Sequence, residues 1–212
     1  MSCCGWRLAA GLALPGCACA PEAADSGGSE RDPYADRVVS FEPGACAGFG
    51  QDDLPEVVLG PPRGAGERAG SLDVVSLGEG GLIVLAFDDL GLVDGEGPDL
   101  LVFENAFVGW PETGFVAASA DGEAWAEWPC DPEDPEAGYP GCAGVNPVYA
   151  NGEEAIDPTD PAVAGGDAFD LADIGLDQAW YVRIRDSGRN SCAADTGGFD
   201  LDAIAVVNGV AR

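Results

Sequence analysis

Apolar residues in this chain come in short runs separated by turn-forming clusters, and they do not recur at helical spacing. The runs are RVVSFE (37–42), EVVL (56–59), DVVSL (73–77), LIVLAFD (82–88), DLLVFEN (99–105), FVAASA (115–120), EAWAEW (123–128), WYVRIRD (180–186) and LDAIAVVN (201–208). Their length, their β-branched and aromatic content and their Gly, Pro, Asp and Ser boundaries predict β-strands. No window of a dozen residues carries a 3.6-residue period. Residues 163–178 come nearest, but Gly165, Gly166 and Gly175 interrupt them. Many strands without intervening helices predict an all-β domain over residues 37–212, a two-sheet β-sandwich or jelly roll.

Alternation then assigns faces, because successive side chains in a strand point to opposite sides. Leu101 and Phe103 share one face of DLLVFEN, with Leu100, Val102 and Glu104 on the other. Asp200, Asp202, Ile204 and Val206 are expected together, opposite Leu201, Ala203, Ala205 and Val207. Arg183 and Arg185 share a face with Tyr181, and pairing with neighbouring acids is their expected role. Asp121-Gly122 between two alternating runs predicts a type I′ hairpin turn, since both central positions need positive φ. Gly78, Gly80 and Gly81 predict a second tight connection.

Charge narrows the chemistry. The 212 residues hold 9 cationic side chains, all arginine, against 38 acids, with no histidine and a net charge of −29. Without lysine or histidine there is no P-loop lysine, Schiff-base lysine, histidine-based triad or histidine-ligated zinc. The basic footprint that nucleic acid requires is missing. The same negative field opposes anionic lipid surfaces, so any membrane attachment is expected through a lipid anchor. No G-x-S-x-G nucleophile motif and no G-x-G-x-x-G opening a helix occur.

The amino terminus reads as an address. Arg7 precedes an apolar run over residues 8–14, too short to span a bilayer. Leu14-Pro15-Gly16-Cys17 follows and resembles the bacterial lipobox, which implies a signal peptide over 1–16, a diacylated Cys17 and an exported, membrane-anchored lipoprotein at the cell envelope. A conventional cut after Ala20 would place Pro21 just past the scissile bond, where proline is unfavourable. Residues 17–36 have no apolar period and many breakers, and are expected to be a flexible tether.

Of the 8 cysteines, Cys3 and Cys4 would leave with the signal, and Cys19 falls in the tether. Cys130 and Cys142 bracket a Pro- and Asp-rich loop that a disulfide would close, leaving Cys46 and Cys192 as the second pair. Four cysteines allow three pairings, and this one is preferred.

Carboxylates and aromatics supply the candidate chemistry. Asp88, Asp89, Asp94, Glu96, Asp99 and Glu104 fall close together among glycines, which permit loops where oxygens converge on a hard cation. Asp186, Asp195, Asp200 and Asp202 form a second concentration around the last strand. Asp94, Glu96, Asp99, Glu104, Asp200 and Asp202 are the candidate Ca²⁺ ligands, since clustered carboxylates without cations repel and a divalent ion removes that cost. Trp125 and Trp180 lie in predicted strands and are expected in the core. Trp110 and Tyr139 precede prolines in loops and are the candidate ligand contacts.

V-A-A-S-A-D-G-E-A-W (116–125) is similar to the V-x-x-S-x-D-G-x-x-W hairpin of discoidin-type (galactose-binding-like) domains, and A-W-Y-V-R-I-R-D (179–186) looks like their late A-R-Y-V-R-I strand. The ordered set SLGEGGLIVLAF, DGEGPDLLVFENAF, SADGEAWAEWPC, GCAG, GGDAFDLADIGL, YVRIRD and GFDLDAIAVV, spanning about residues 40–208, resembles a group of secreted bacterial cell-surface proteins and lipoproteins. The resemblance implies a discoidin-like sandwich and a cell-surface location. Discoidin relatives bind glycans, lipids or proteins through variable loops, so it carries over no binding residues. The expected function is non-enzymatic surface binding or adhesion, with a glycan or a surface protein as ligand. A carboxylate-based carbohydrate-active enzyme and a structural envelope protein without a ligand are the alternatives.

Overall fold

The computed structural model describes residues 31–152, 155–192 and 197–212. The signal segment 1–16, Cys17, most of the expected tether and Asp195 lie outside these residues. The described chain is an all-β sandwich of antiparallel strands.

Its twelve strands are β1 (Arg37–Glu42), β2 (Val75–Ser76), β3 (Leu82–Ala86), β4 (Leu90–Val93), β5 (Leu100–Glu104), β6 (Gly114–Ser119), β7 (Ala126–Glu127), β8 (Asp167–Phe169), β9 (Gln178–Ala179), β10 (Tyr181–Asp186), β11 (Asp200–Val206) and β12 (Gly209–Ala211). One sheet has the order β1-β3-β10-β6-β7, and a second has the order β2-β11-β5-β8. A small third sheet has the order β12-β4-β9. The main core holds Ile83, Leu85, Val116, Val182 and Ile184 from the first sheet with Leu100, Val102, Leu201, Ile204 and Val206 from the second. A smaller cluster covers the back of the second sheet, with Leu101, Phe103, Ala203 and Ala205 under Val148, Ala150 and Ala164. The buried set is therefore two-sided for β5, which is why that strand reads as a continuous apolar run.

Several elements differ from the sequence expectation. EVVL is a 3₁₀ turn, Glu56–Val58, because Pro55 sits in the αR region and starts a turn that the Val58 and Leu59 N–H groups close. Asp121-Gly122 does not form a type I′ turn. Gly122 has positive φ, but Asp121 does not. The Asp121 carboxylate instead accepts from the Glu123 and Ala124 N–H groups, and the Ser119 hydroxyl accepts from the Gly122 N–H, widening the loop so that pairing resumes only at Ala118 with Ala126. The expected tether also ends earlier than residue 36. Val206 N–H donates to Pro33 O, Tyr34 bridges Ala205 and Ala35 is buried, so residues 33–36 pack on the sandwich.

The largest difference is a β-bulge in β11. Leu201 pairs with Glu104 and Ala203 with Phe103, leaving Asp202 as the extra residue. The bulge reverses the alternation, so Leu201 faces the main core together with Ile204 and Val206, while Ala203 and Ala205 face the back. Asp200 and Asp202 therefore do not share the Ile204 face.

Arg183 and Arg185 stand side by side on β10 as expected. Both reach Glu127, at 3.6 and 3.8 Å. They also lie over the Trp125 and Phe115 rings, 4.8 and 4.2 Å from the centroids. Trp125 is thus a half-buried platform for Arg183 and not a core residue; Trp180 is buried as expected. Both preferred disulfides are present, Cys46–Cys192 and Cys130–Cys142.

Candidate functional site

One concave site is built at the edge where β7, the Cys130–Cys142 loop and β8 meet. It is a cavity of about 590 Å³ lined by Trp128, Tyr139, Cys142, Asn146, Asp167, Phe169 and Asp173, among others. That volume lies in the range of small-molecule sites.

Each wall has a local cause. Trp128 follows β7, and its N–H extends the strand pairing to Val116 O. Its indole Nε1–H donates to Asp170 O at 2.8 Å, and its ring packs on Phe169 of β8 at 5.1 Å and 58°. This tilted pair fixes both rings by packing and one hydrogen bond. The disulfide ties the opposite loop, where Cys142 N–H donates to Tyr139 O and Tyr139 N–H to Asp134 O. At the tip Tyr139 takes φ 55, a left-handed conformation costly for a bulky residue. The loop thereby holds an aromatic side chain at the rim in a strained backbone position.

Polar groups sit beside the rings. Asp167, on β8, is buried. Its Oδ2 accepts from the Gly144 and Val145 N–H groups and its Oδ1 from the Asn146 amide. Burial pushes this carboxyl up to about 6, with those bonds working in the opposite direction. Asn146 and Asp173 are exposed within the wall, Asn146 with one amide N–H on Asp167.

Tyr139 therefore lines the cavity, and Trp110 does not. Trp110 is 55% exposed and stacks on Phe107 at 6.5 Å, next to Val108, which is 68% exposed.

The six candidate metal ligands do not form one site. Asp94 and Asp99 meet Asp170, with one oxygen from each within 4.8 Å of the others. Asp99 has both oxygens engaged there: Oδ1 accepts from Gly95 N–H and the Asn208 amide, and Oδ2 from Leu171 N–H. This carboxylate braces the loops that flank β5. Glu96 is exposed and outside that group. Asp202, turned away by the bulge, accepts the Arg63 N–H with both oxygens at 3.0 and 2.8 Å.

Glu104 and Asp200 fall in a third place, a buried acidic belt at one end of the sandwich. Burial pushes Glu104 well above its usual range, and Glu112, Asp200 and Asp167 push it further. Glu112 rises to about 8, first through burial and then through Asp200. Asp200 rises to about 6 through burial, against bonds from Ser76 and Asn105. Asp186 lies beside this belt with its charge satisfied by the Gly80, Gly188 and Phe199 N–H groups and the Asn190 amide.

Sequence reasoning missed Glu112, Asp167 and Asp170. Nothing in PETG or GGDAF distinguishes those acids from the other carboxylates. What marks Glu112 and Asp167 is burial, and what marks Asp170 is its approach to Asp94 and Asp99; both arise only when β5, β8 and the loop before β6 pack together. The sequence matches no protein-family model, and no curated protein aligns with it significantly.

Proposed function

We propose that this chain is a non-enzymatic binding module of discoidin-like type, exported and anchored through Cys17, that takes a glycan in the cavity beside Tyr139. The carrying observation is the strained, disulfide-tethered Tyr139, which lines a cavity of about 590 Å³ together with the buried Trp128 and Phe169. Sugar rings present apolar C–H faces that pack on aromatic rings and hydroxyls that pair with amides and carboxylates, and the exposed Asn146 and Asp173 supply those partners.

A binding role is favoured over a hydrolytic one by the position of the acids. Glu104, Glu112 and Asp200, which burial raises most among the belt, do not line the cavity. Asp167 does, but three donors already hold its oxygens. Calcium belongs to this reading as a structural ion, and surface adhesion follows from a bound glycan on a neighbouring cell or matrix.

The test is a glycan array probed with the full chain, followed by titration of any retained sugar. Tyr139→Ala should weaken binding by ~10-fold or more, the loss expected when one ring of a small apolar site is removed. Trp110→Ala should leave it unchanged. No retained glycan, or equal binding by Tyr139→Ala, would overturn the reading. Released reducing sugar would point to the enzyme instead.

A further inference from the structure

The five strands of the first sheet hold three arginines, Arg37, Arg183 and Arg185, and, besides the buried Asp186, two acids, Glu42 and Glu127. On a protein of net charge −29 this sheet is an exception. Arg37 hydrogen-bonds to Asp88. Arg183 and Arg185 are held differently. Both approach one oxygen of Glu127, at 3.6 and 3.8 Å, beyond hydrogen-bond distance. Among the described residues, neither guanidinium donates a hydrogen bond to the protein. Register explains this. Arg183 stands between Val84 and Ala117, and Arg185 between Leu82 and Phe115, so their cross-strand neighbours offer no side-chain acceptor. Glu127 reaches them from β7, across Ala117.

Both guanidinium groups are nonetheless fixed in place. Arg183 lies over the Trp125 ring at 4.8 Å and Arg185 over the Phe115 ring at 4.2 Å from the centroid. Stacking restrains the plane of a guanidinium and leaves its N–H edge free, which is how arginine meets a planar, two-oxygen anion. The two side chains remain 27% and 39% exposed, so those edges are open to solvent. Residues two apart on a strand stand roughly 7 Å from each other on one face, close enough for both forks to address one ligand group. Two cations share a single carboxylate here, which leaves an excess of one positive charge. An added anion would fill donors that the protein leaves open, and hydrogen bonds between charged groups are the strong ones.

We propose that Arg183 and Arg185, braced on Trp125 and Phe115, bind the carboxylate of an acidic sugar, a uronic acid, on the exposed face of the first sheet. Glu127 shows the kind of group this pair accepts, and a ligand carboxylate takes the edges that Glu127 leaves free. One carboxylate on an otherwise uncharged body fits better than a polyanion, because the net charge of −29 repels each further negative charge. The pair lies apart from the residues that line the Tyr139 cavity, and its ligand does not depend on what that cavity takes.

The experiment follows the arginine Nε–H signals of the isotope-labelled full chain by NMR while methyl glucuronide, methyl glucoside or sodium sulfate is added at matched ionic strength. Saturable shifts of the Arg183 and Arg185 signals are expected with the glucuronide, none with the uncharged glucoside, and weaker binding with sulfate. Arg183→Ala and Arg185→Ala should each weaken glucuronide binding by ~10-fold or more, as loss of a charged donor does. Arg183→Lys keeps the charge but loses the fork and the stack, and should also weaken it. Glu127→Gln removes the competing carboxylate and should tighten binding, a gain that misfolding cannot produce. Arg68→Ala, at an exposed arginine outside the sheet, and Tyr139→Ala should respond as the unaltered chain does. No saturable shift, an equal response to the glucoside, sulfate binding as tight as the glucuronide, full binding by the Arg183 or Arg185 variants, or no gain in Glu127→Gln overturns the proposal.

Discussion

Replacing Asp202 with Asn removes a buried charge while keeping an oxygen for the Arg63 N–H. Asp202 is 2% exposed at the β11 bulge, and that N–H is bonded to both its carboxylate oxygens. Burial pushes its carboxyl from 3.8 to about 7, and Asp73 adds to the shift while the Arg63 N–H and charge oppose it. A carboxyl raised in the folded state binds its proton more tightly there than in the unfolded chain. Its contribution is therefore fully present below the unfolded value and is lost as pH rises through the folded one. At ~1.4 kcal/mol for each tenfold change in ionisation constant, the difference between 3.8 and about 7 corresponds to about 4 kcal/mol. Asn does not titrate and escapes this loss. At about pH 4.5, where Asp202 keeps its proton in the folded state, most of the loss has yet to occur. Toward pH 8 Asp202→Asn should gain on the unaltered protein by several kcal/mol.

Urea unfolding in EDTA at several pH values between those limits measures it. The net charge of −29 also destabilises the fold as pH rises, but nearly equally in both proteins, and added salt screens that repulsion more than it screens a buried group. A stability difference that does not change with pH, or a variant that loses ground toward pH 8, would refute the reasoning. It would mean that the Arg63 N–H holds Asp202 ionised at ordinary pH.

Two further expectations concern the cysteines. Opening Cys46–Cys192, which closes 146 residues, should cost about 5 kcal/mol, and opening Cys130–Cys142, which closes 12, about 3 kcal/mol, in the loop-entropy account; paired Cys→Ala variants compared by urea unfolding check the order, and only the second should also abolish glycan retention, through Tyr139. Cys17→Ser should abolish fatty-acid labelling in a bacterial host and release the chain from membranes, and unchanged labelling would remove the anchor from the functional reading.

The class of fold was legible in the sequence because it depends on local composition. The 37–42, 82–88, 99–105, 115–120 and 180–186 runs correspond to β1, β3, β5, β6 and β10 to within two residues at either end, since strand propensity and two-residue alternation act within each run. The disulfide partners were legible for a similar reason: few cysteines remained to pair. Residues 56–59 misled because their β-branched pair reads as a strand, while Pro55 two positions earlier had already committed the backbone to a turn. Strands β4, β8, β9 and β12 are two to four residues long and exist because neighbours supply their hydrogen bonds, so no local pattern announces them.

The sites depended on tertiary structure. Among so many carboxylates the sequence alone cannot rank Glu112 above Glu96, because the two differ in burial and not in type. A single extra residue in β11 turned Asp202 away from Ile204 and toward Arg63, undoing an alternation that was correct residue by residue up to the bulge. Tyr139 was a candidate from its loop and its proline, but the residues that line the cavity with it, Trp128 just after β7 and Phe169 on β8, are about ten and thirty residues away in sequence. Local chemistry determined which residues could act; long-range packing decided which carboxylates lost their water, and that loss makes a surface acid into a site.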